Sequence, residues 1–314
     1  MTGATTLSVI VPVHDAAEHL PVMLRSLRAG AGPDVQVIAV DDASTDATPE
    51  LLAGADLPRL DVVRTETAVG AASARNLGLD RVEGRLVTFL DGDDWIAPGH
   101  LATLVEAIDS LGCDMVRTDH VQVRGRERTL HRAPGRRNIV LDPRGSILPV
   151  HRETMVDYPF SWAGVYRASL GDLLRFEDGL HTATDRPWVW RLHREVPSFA
   201  TVSHAGVFYR REVAGSLTTI GDERRLHVFD AYDHVFAQVR DEPDLRPKAV
   251  RQFLGLVARH VTMAELYEPG LRARFDQRAR AALAALDPRE VAEVLPRDDR
   301  RALLAPLLPA GVGA

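Results

Sequence analysis

The sequence predicts an α/β protein: a mostly parallel sheet flanked by helices, closed by a helical C-terminal subdomain. Two observations carry that prediction. From Leu7 to Leu90 short β-rich apolar runs alternate with amphipathic helical stretches, the pattern of crossover units in a parallel sheet. From Asp222 onward the chain reads as helix after helix, with breaks near Pro243, Pro247, Pro269 and Pro288. The expected division is an α/β domain over residues 1–220 and a helical subdomain over 221–314.

In chain order, four strands are readable: Leu7–Val13, Val35–Val40, Leu60–Arg64 and Leu86–Leu90. Helices are expected between them at Ala17–Arg28, Ala47–Ala53 and Ala71–Arg81, with Asp46 suited to cap the second. Pro98 suits the first turn of a helix running to Leu111, and Asp114–Val123 then reads as strand. The arginine-rich stretch Gly125–Asn138 is expected to be a mobile loop or an exposed hairpin. Trp162–Tyr166 and Val207–Arg210 read as short strands, and Pro187–Arg194 as a helix carrying Trp188 and Trp190.

Composition narrows the function classes. The 314 residues are 45% hydrophobic and 26% charged, an ordinary globular balance with room for a large core. A net charge of −6 leaves no general basic surface for phosphate backbones, so nucleic acid is not expected as a partner. Cys113 is the only cysteine, which excludes an internal disulfide and fits a reducing compartment. No basic leader precedes the first strand and no apolar run approaches the ~18 residues needed to span a bilayer, so a cytoplasmic location is expected. Lys248 is the sole lysine among many arginines, which reads as a compositional bias.

The chemistry concentrates at strand ends. Pro12-Val13-His14-Asp15 follows the first strand and Asp41-Asp42-Ala43-Ser44-Thr45-Asp46 the second. In open parallel sheets ligands bind outside the carboxyl ends of the strands, so both segments face one crevice. Acidic groups there can accept hydrogen bonds from a ribose hydroxyl or a base N–H. A dinucleotide-binding fold would place a Gly-rich turn after strand one, and this turn has no glycine. After the fourth strand comes Asp91-Gly92-Asp93-Asp94-Trp95. Side chains two apart on extended chain point the same way, so Asp91 and Asp93 can converge on a hard cation, with Gly92 removing bulk between them.

Taken together, SVIVPVHDAAEHLPVMLRSL, VIAVDDASTDAT, VGAASARNLGLD and LVTFLDGDDW resemble the family 2 glycosyltransferases in order and spacing, closely over residues 7–100 and loosely to about 215. The resemblance implies a GT-A fold and transfer of a sugar from a nucleotide-sugar donor, commonly a UDP-sugar, to a hydroxyl of a glycan, cell-wall polymer or lipid-linked acceptor. It implies donor contacts from Pro12, Val13, His14, Asp15, Asp41, Asp42, Arg75, Asp91 and Gly92. It also implies Mn²⁺ or Mg²⁺ at Asp93 and Asp91, with Asp93 the firmer ligand. His14 stands where the family often has an aromatic residue, and Asp15 where asparagine is common.

Members of the family usually show a Glu-Asp pair before an aromatic-containing helix, its aspartate serving as general base. Here Thr184-Asp185 occupies that place, so Asp185 matches the base and the preceding acid is missing; Glu177 and Asp178 are the alternative pair. Asp185 also suits a helix start, ahead of Arg186-Pro187. Tyr209-Arg210-Arg211 with Ser216-Leu217-Thr218 resembles the segment that often closes such domains. An arginine there could clamp a diphosphate or form a surface ion pair. Core packing is the expected role of the tryptophans at 162, 188 and 190, with an acceptor floor the alternative.

The expected mechanism is a single displacement with inversion at the anomeric carbon. The rivals are a sugar-phosphate nucleotidyltransferase and a catalytically degenerate module that binds a nucleotide or glycan. The C-terminal helices, amphipathic over Leu226–Val239 and Val250–Val261, are expected to cap the site, with homodimerisation or contact with the inner face of a membrane as alternatives.

Overall fold

Leu7–Val13 (β1) and Val35–Asp41 (β2) are buried at every residue, because crossover helices cover both faces of a parallel sheet. The computed structural model describes residues 5–211, 220–295 and 299–309. β1 is flanked in parallel by β2 and by Leu86–Phe89 (β4), and Leu60–Arg64 (β3) extends the sheet beyond β2, in parallel again. In register, Val13 lies opposite Asp41 and Ile10 opposite Phe89. The loops after β1, β2 and β4 therefore leave the sheet along one edge.

Helices Leu20–Gly30 (α1), Thr48–Ala53 (α2) and Gly70–Leu79 (α3) make the crossovers. Proline in the first turn of α1 and α2 sets their starts, and the Asp46 carboxylate accepts from Thr48 N at 2.9 Å. α3 opens on Gly70 at φ +86°, where a Cβ would come within 2.7 Å of the His181 ring.

Past β4 the sheet becomes mixed. Gly164–Arg167 (β8) runs antiparallel to β4, and Met115–Arg124 (β6) antiparallel to β8. Phe199–Arg210 (β9) lies parallel to β6, with a bulge at Thr118–His120, and Trp95–Ile96 (β5) pairs antiparallel with β9. The order is β3-β2-β1-β4-β8-β6-β9-β5. Glu127–His131 (β7) folds back on β6 as an exposed hairpin, one of the two forms expected for the arginine-rich stretch. His100–Leu111 (α4) begins two residues after Pro98, on Gly99 at φ +76°.

Asp185–Glu195 (α5) precedes β9. Then come His227–Gln238 (α6), Arg246–Thr262 (α7), Leu271–Ala284 (α8), Pro288–Val294 (α9) and Arg300–Leu304 (α10). The apolar faces of α6 (Phe229, Tyr232, Val235) and α7 (Phe253, Leu254, Val257) are buried in the same hydrophobic cluster as the sheet. Polar ties fix them to the α/β part: Trp190 Nε1 donates to Gln252 Oε1 at 2.8 Å, and Lys248, fully buried, pairs with Asp157. No helix among the described residues is long and apolar enough to cross a membrane.

Candidate active site

The loops after β1 and β2 are bound into one unit. The Asp15 carboxylate accepts from Thr45 N at 2.7 Å, Asp15 N donates to Ser44 Oγ at 3.0 Å, and Asp46 accepts from Ala17 N at 2.9 Å. Asp15 takes φ +44° to make these bonds, and the Thr45 N–H holds its carboxyl below the usual range. His14 Nδ1 bonds the Asp42 carbonyl at 2.6 Å. The carboxylates of Asp41 and Asp42 are turned inward. Asp41 accepts from Ser44 N at 3.0 Å and faces Arg64, while Asp42 accepts from Thr65 Oγ1, Val69 N and Gly70 N at 3.1, 2.7 and 2.8 Å. Asp42 thus caps α3. Pro12 and Val13 are buried, so His14 and Asp15, with side chains 51% and 42% exposed, are the residues of this crevice most open to a ligand.

The loop after β4 is drawn tight against β1. Leu90 N donates to Ile10 O at 3.0 Å, and a Cβ on Gly92 would lie 2.7 Å from Val13 Cγ1 and 3.3 Å from Pro12 O, so only glycine passes here without displacing the strand end. Asp94 is fully buried and accepts from Arg210 N at 2.7 Å. Arg210 Nε donates to the Asp93 carbonyl at 2.8 Å, and its guanidinium lies 4.8 Å over the Trp95 ring. Arg210 therefore fastens the acidic loop from behind. Burial, then the charge of Asp91, pushes the Asp93 carboxyl up to about 6.

Arg75 joins this loop to α5. Its side chain, 6% exposed, donates to Asp91 Oδ1 at 2.7 Å and stands 3.8 Å from Asp185 Oδ1. Asp185 occupies the first residue of α5 and stays 20% exposed. It also accepts from Ser161 N and Thr184 Oγ1, each at 3.3 Å. Burial raises the Asp185 carboxyl above its ordinary value, against the lowering effect of Arg75. Asp91 acts electrostatically on both Asp93 and Asp185, so the three carboxylates belong to one site.

A residue the sequence reading missed supports Asp185. Arg117, on β6 and fully buried, donates to the carbonyls of Tyr158 and Phe160 at 3.0 and 2.9 Å and to the Tyr166 hydroxyl. Tyr166 in turn donates to Ser161 O at 2.7 Å, which fixes the turn whose N–H reaches Asp185. An arginine inside an apolar strand reads as an outward-facing charge, so periodicity gave no sign of it.

The alternative acidic pair faces elsewhere. Glu177 pairs with Arg191 at 2.7 Å, and Asp178 accepts from Ser73 Oγ and Asn76 Nδ2 at 2.8 and 3.1 Å. These contacts attach the 176–178 segment to α3 through Asp178 and to α5 through Glu177. Trp188 and Trp190 are fully buried in the core, and Trp162 packs among His120, Phe160 and Tyr209. Arg211 donates to the Tyr209 hydroxyl at 3.0 Å. Ser216-Leu217-Thr218 lie outside the described residues.

A family model described as glycosyl transferase family 2 matches residues 8–174. The succinoglycan biosynthesis protein ExoO of Rhizobium meliloti (strain 1021) is 33% identical over 106 residues, 34% of this chain and 30% of ExoO. The putative teichuronic acid biosynthesis glycosyltransferase TuaG of Bacillus subtilis (strain 168) is 40% identical over 90 residues, 28% of this chain and 36% of TuaG. The chain thus spans about a third of the length of these curated relatives. The crystal structure of S. aureus TarS 1-349 in complex with UDP-GlcNAc superposes with a TM-score of 0.69 over 95% of this chain and 86% of that one, at 19% identity. That likeness extends the GT-A-type fold through the C-terminal helices. With its four motifs folded onto one edge of the sheet and the family model covering more than half its length, the chain belongs to glycosyl transferase family 2.

Proposed function

We propose that this protein transfers a sugar, with inversion, from a nucleoside-diphosphate donor, a UDP-sugar in the first instance, to a hydroxyl of a glycan, cell-wall polymer or lipid-linked acceptor. The single observation that supports this best is Arg75 spanning Asp91 and Asp185, which sets a donor-side carboxylate and a candidate base on two sides of one cation. The names of ExoO and TuaG point toward bacterial polysaccharide synthesis, and the UDP-GlcNAc bound to TarS toward the donor class.

In this reading Asp185 takes the proton of the acceptor hydroxyl as its oxygen attacks the anomeric carbon, on the face opposite the departing diphosphate. Arg75 favours the ionised form of Asp185 and aims it, the Ser161 N–H holds its second oxygen, and His14 and Asp15 line the nucleoside side of the crevice. Asp91 and Asp93 would hold a divalent cation: burial and then the charge of Asp91 raise the Asp93 carboxyl, and a cation there would relieve that penalty. Among the described residues no third His, Cys, Asp or Glu joins them, so the remaining positions would fall to donor phosphate oxygens and water, as is usual for Mg²⁺. Such a cation would neutralise charge on the leaving diphosphate. A lipid-linked acceptor would bring the chain to the inner face of a membrane as a peripheral protein.

The test is a panel of nucleotide sugars screened for Mn²⁺-dependent thermal stabilisation, followed by the anomeric configuration of the product. Retention of configuration would refute the scheme.

A further inference from the structure

A cavity of about 670 Å³ opens between the start of α5, one side of α7 and the neighbouring ends of α9 and α10. Arg186, the residue after Asp185, lines it together with Arg251, Gly255 and Arg259. The last three recur at every fourth position, so they form one stripe along α7, with the two arginines ~12 Å apart. A glycine inside a helix is destabilising relative to alanine. At Gly255 a Cβ would meet nothing within 4 Å, so no neighbour demands the glycine; what its small size provides is open space between two cations.

Arg300 also lines the cavity, and the unmatched charges are those of Arg186, Arg251 and Arg259. Among the described residues no carboxylate lies within ion-pairing distance of Arg186, Arg251 or Arg259, and their side chains make no hydrogen bond. Asp157, also on the lining, is already neutralised by Lys248 and bonded to Gln252. The other two acids, Glu153 and Glu293, are exposed. Arg186 and Arg211 both repel Arg259, which adds to desolvation in lowering its pKa. Gathering like charges without partners is unfavourable unless an anion joins them.

We infer that this cavity binds an acceptor chain carrying repeated negative charges, its anions held by Arg251 and Arg259 while a hydroxyl passes Arg186 to reach Asp185. Guanidinium forks bind phosphate diesters and carboxylates alike, so the class is a polyanionic polyol or glycan. The inference rests on the glycosyltransferase reading, which supplies Asp185 as the base.

The test uses the whole chain and calorimetric titration with three probes: a short oligo(glycerol phosphate), an oligogalacturonate and a neutral dextran oligomer. UDP with Mn²⁺ is titrated in parallel. At low salt, one or both anionic probes are expected to bind and the dextran not. Arg251→Ala/Arg259→Ala should weaken that binding roughly tenfold or more per arginine removed. Gly255→Leu, a change that favours the helix and keeps every charge, should weaken it as well, while UDP binding stays unchanged in both variants. Binding of the phosphate probe alone assigns a phosphodiester acceptor, and of the galacturonate alone a carboxylate one. Equal affinity for dextran, no binding of either anion, or undiminished binding by both variants would overturn the inference. Failure of UDP to bind wild type instead sinks the donor reading and leaves the cavity result standing.

Discussion

Arg75 and Asp185 face each other at 3.8 Å while the same guanidinium holds Asp91 at 2.7 Å. Two carboxylates from distant parts of the chain thus share one buried cation, and the charge of Asp91 acts on the Asp185 carboxyl against the effect of Arg75. Removing either partner exposes that dependence.

Asp185→Asn keeps the shape and removes the proposed proton acceptor. Turnover is expected to fall ~10²–10⁴-fold. UDP affinity, measured by titration, should hold within a factor of about two, since the donor side is intact. Turnover near the wild-type rate would reassign the base.

Arg75→Ala leaves Asp91 and Asp185 without their cation. Breaking a buried pair in this way costs about 3 kcal/mol, read as a lower chemical-denaturation midpoint. Arg75 also lowers the Asp185 carboxyl, so its loss should move the acid limb of the pH–rate profile to higher pH. A limb that stays in place would mean that Asp185 is not the group titrating.

Gly92→Ala drives a methyl into Val13 Cγ1, 2.7 Å from the added carbon. Overpacking of this kind costs about 1–3 kcal/mol, and here it also displaces Asp91 and Asp93. The double variant Gly92→Ala/Val13→Ala should recover much of the lost melting temperature and of any Mn²⁺ response. If the second substitution only adds to the damage, the close approach to β1 is not the reason for the glycine.

His193 is fully buried against Phe199, and burial pulls its pKa from 6.5 down to about 3. Unfolded chain therefore takes up a proton below pH 6.5 that the folded protein refuses until about pH 3. The neutral imidazole contributes full stability above pH 6.5, and that contribution is lost as pH falls through this window. Between pH 7 and 5 the stability advantage of wild type over His193→Gln should shrink by about 2 kcal/mol. An advantage that is flat or grows on acidification would contradict the assignment.

β1 to β4 were legible because each is a short, mostly apolar run ended by turn chemistry. β1 and β3 match the expected bounds, and β2 and β4 differ by one residue at the end. β9 was read only over Val207–Arg210 yet spans twelve residues. Its middle, Ser203 to Ala205, breaks the apolar pattern; Ser203 and His204 fall in the register shift between Val202, opposite Thr118, and Ala205, opposite Asp119, a long-range pairing that no local window records. β5, two residues long, exists only because β9 lies beside it. At the site, the loop carboxylates were visible as motifs, while the inward turn of Asp41 and Asp42, and the choice between Glu177/Asp178 and Asp185, depend on partners such as Gly70, Ser73 and Arg191 brought in by the fold.

Lys248, the one lysine of the chain, is sealed between Asp157 and the Arg152 carbonyl. Amine-directed reagents therefore find no side-chain target on the folded molecule, so acylation or aldehyde fixation of lysine becomes a reporter of opening between α7 and the α/β part. The surface cations are otherwise arginines, with His as the titrating exception, and guanidinium keeps its charge well into alkaline solution. Its hold on anions should accordingly outlast the pH range in which a lysine-based surface would fade.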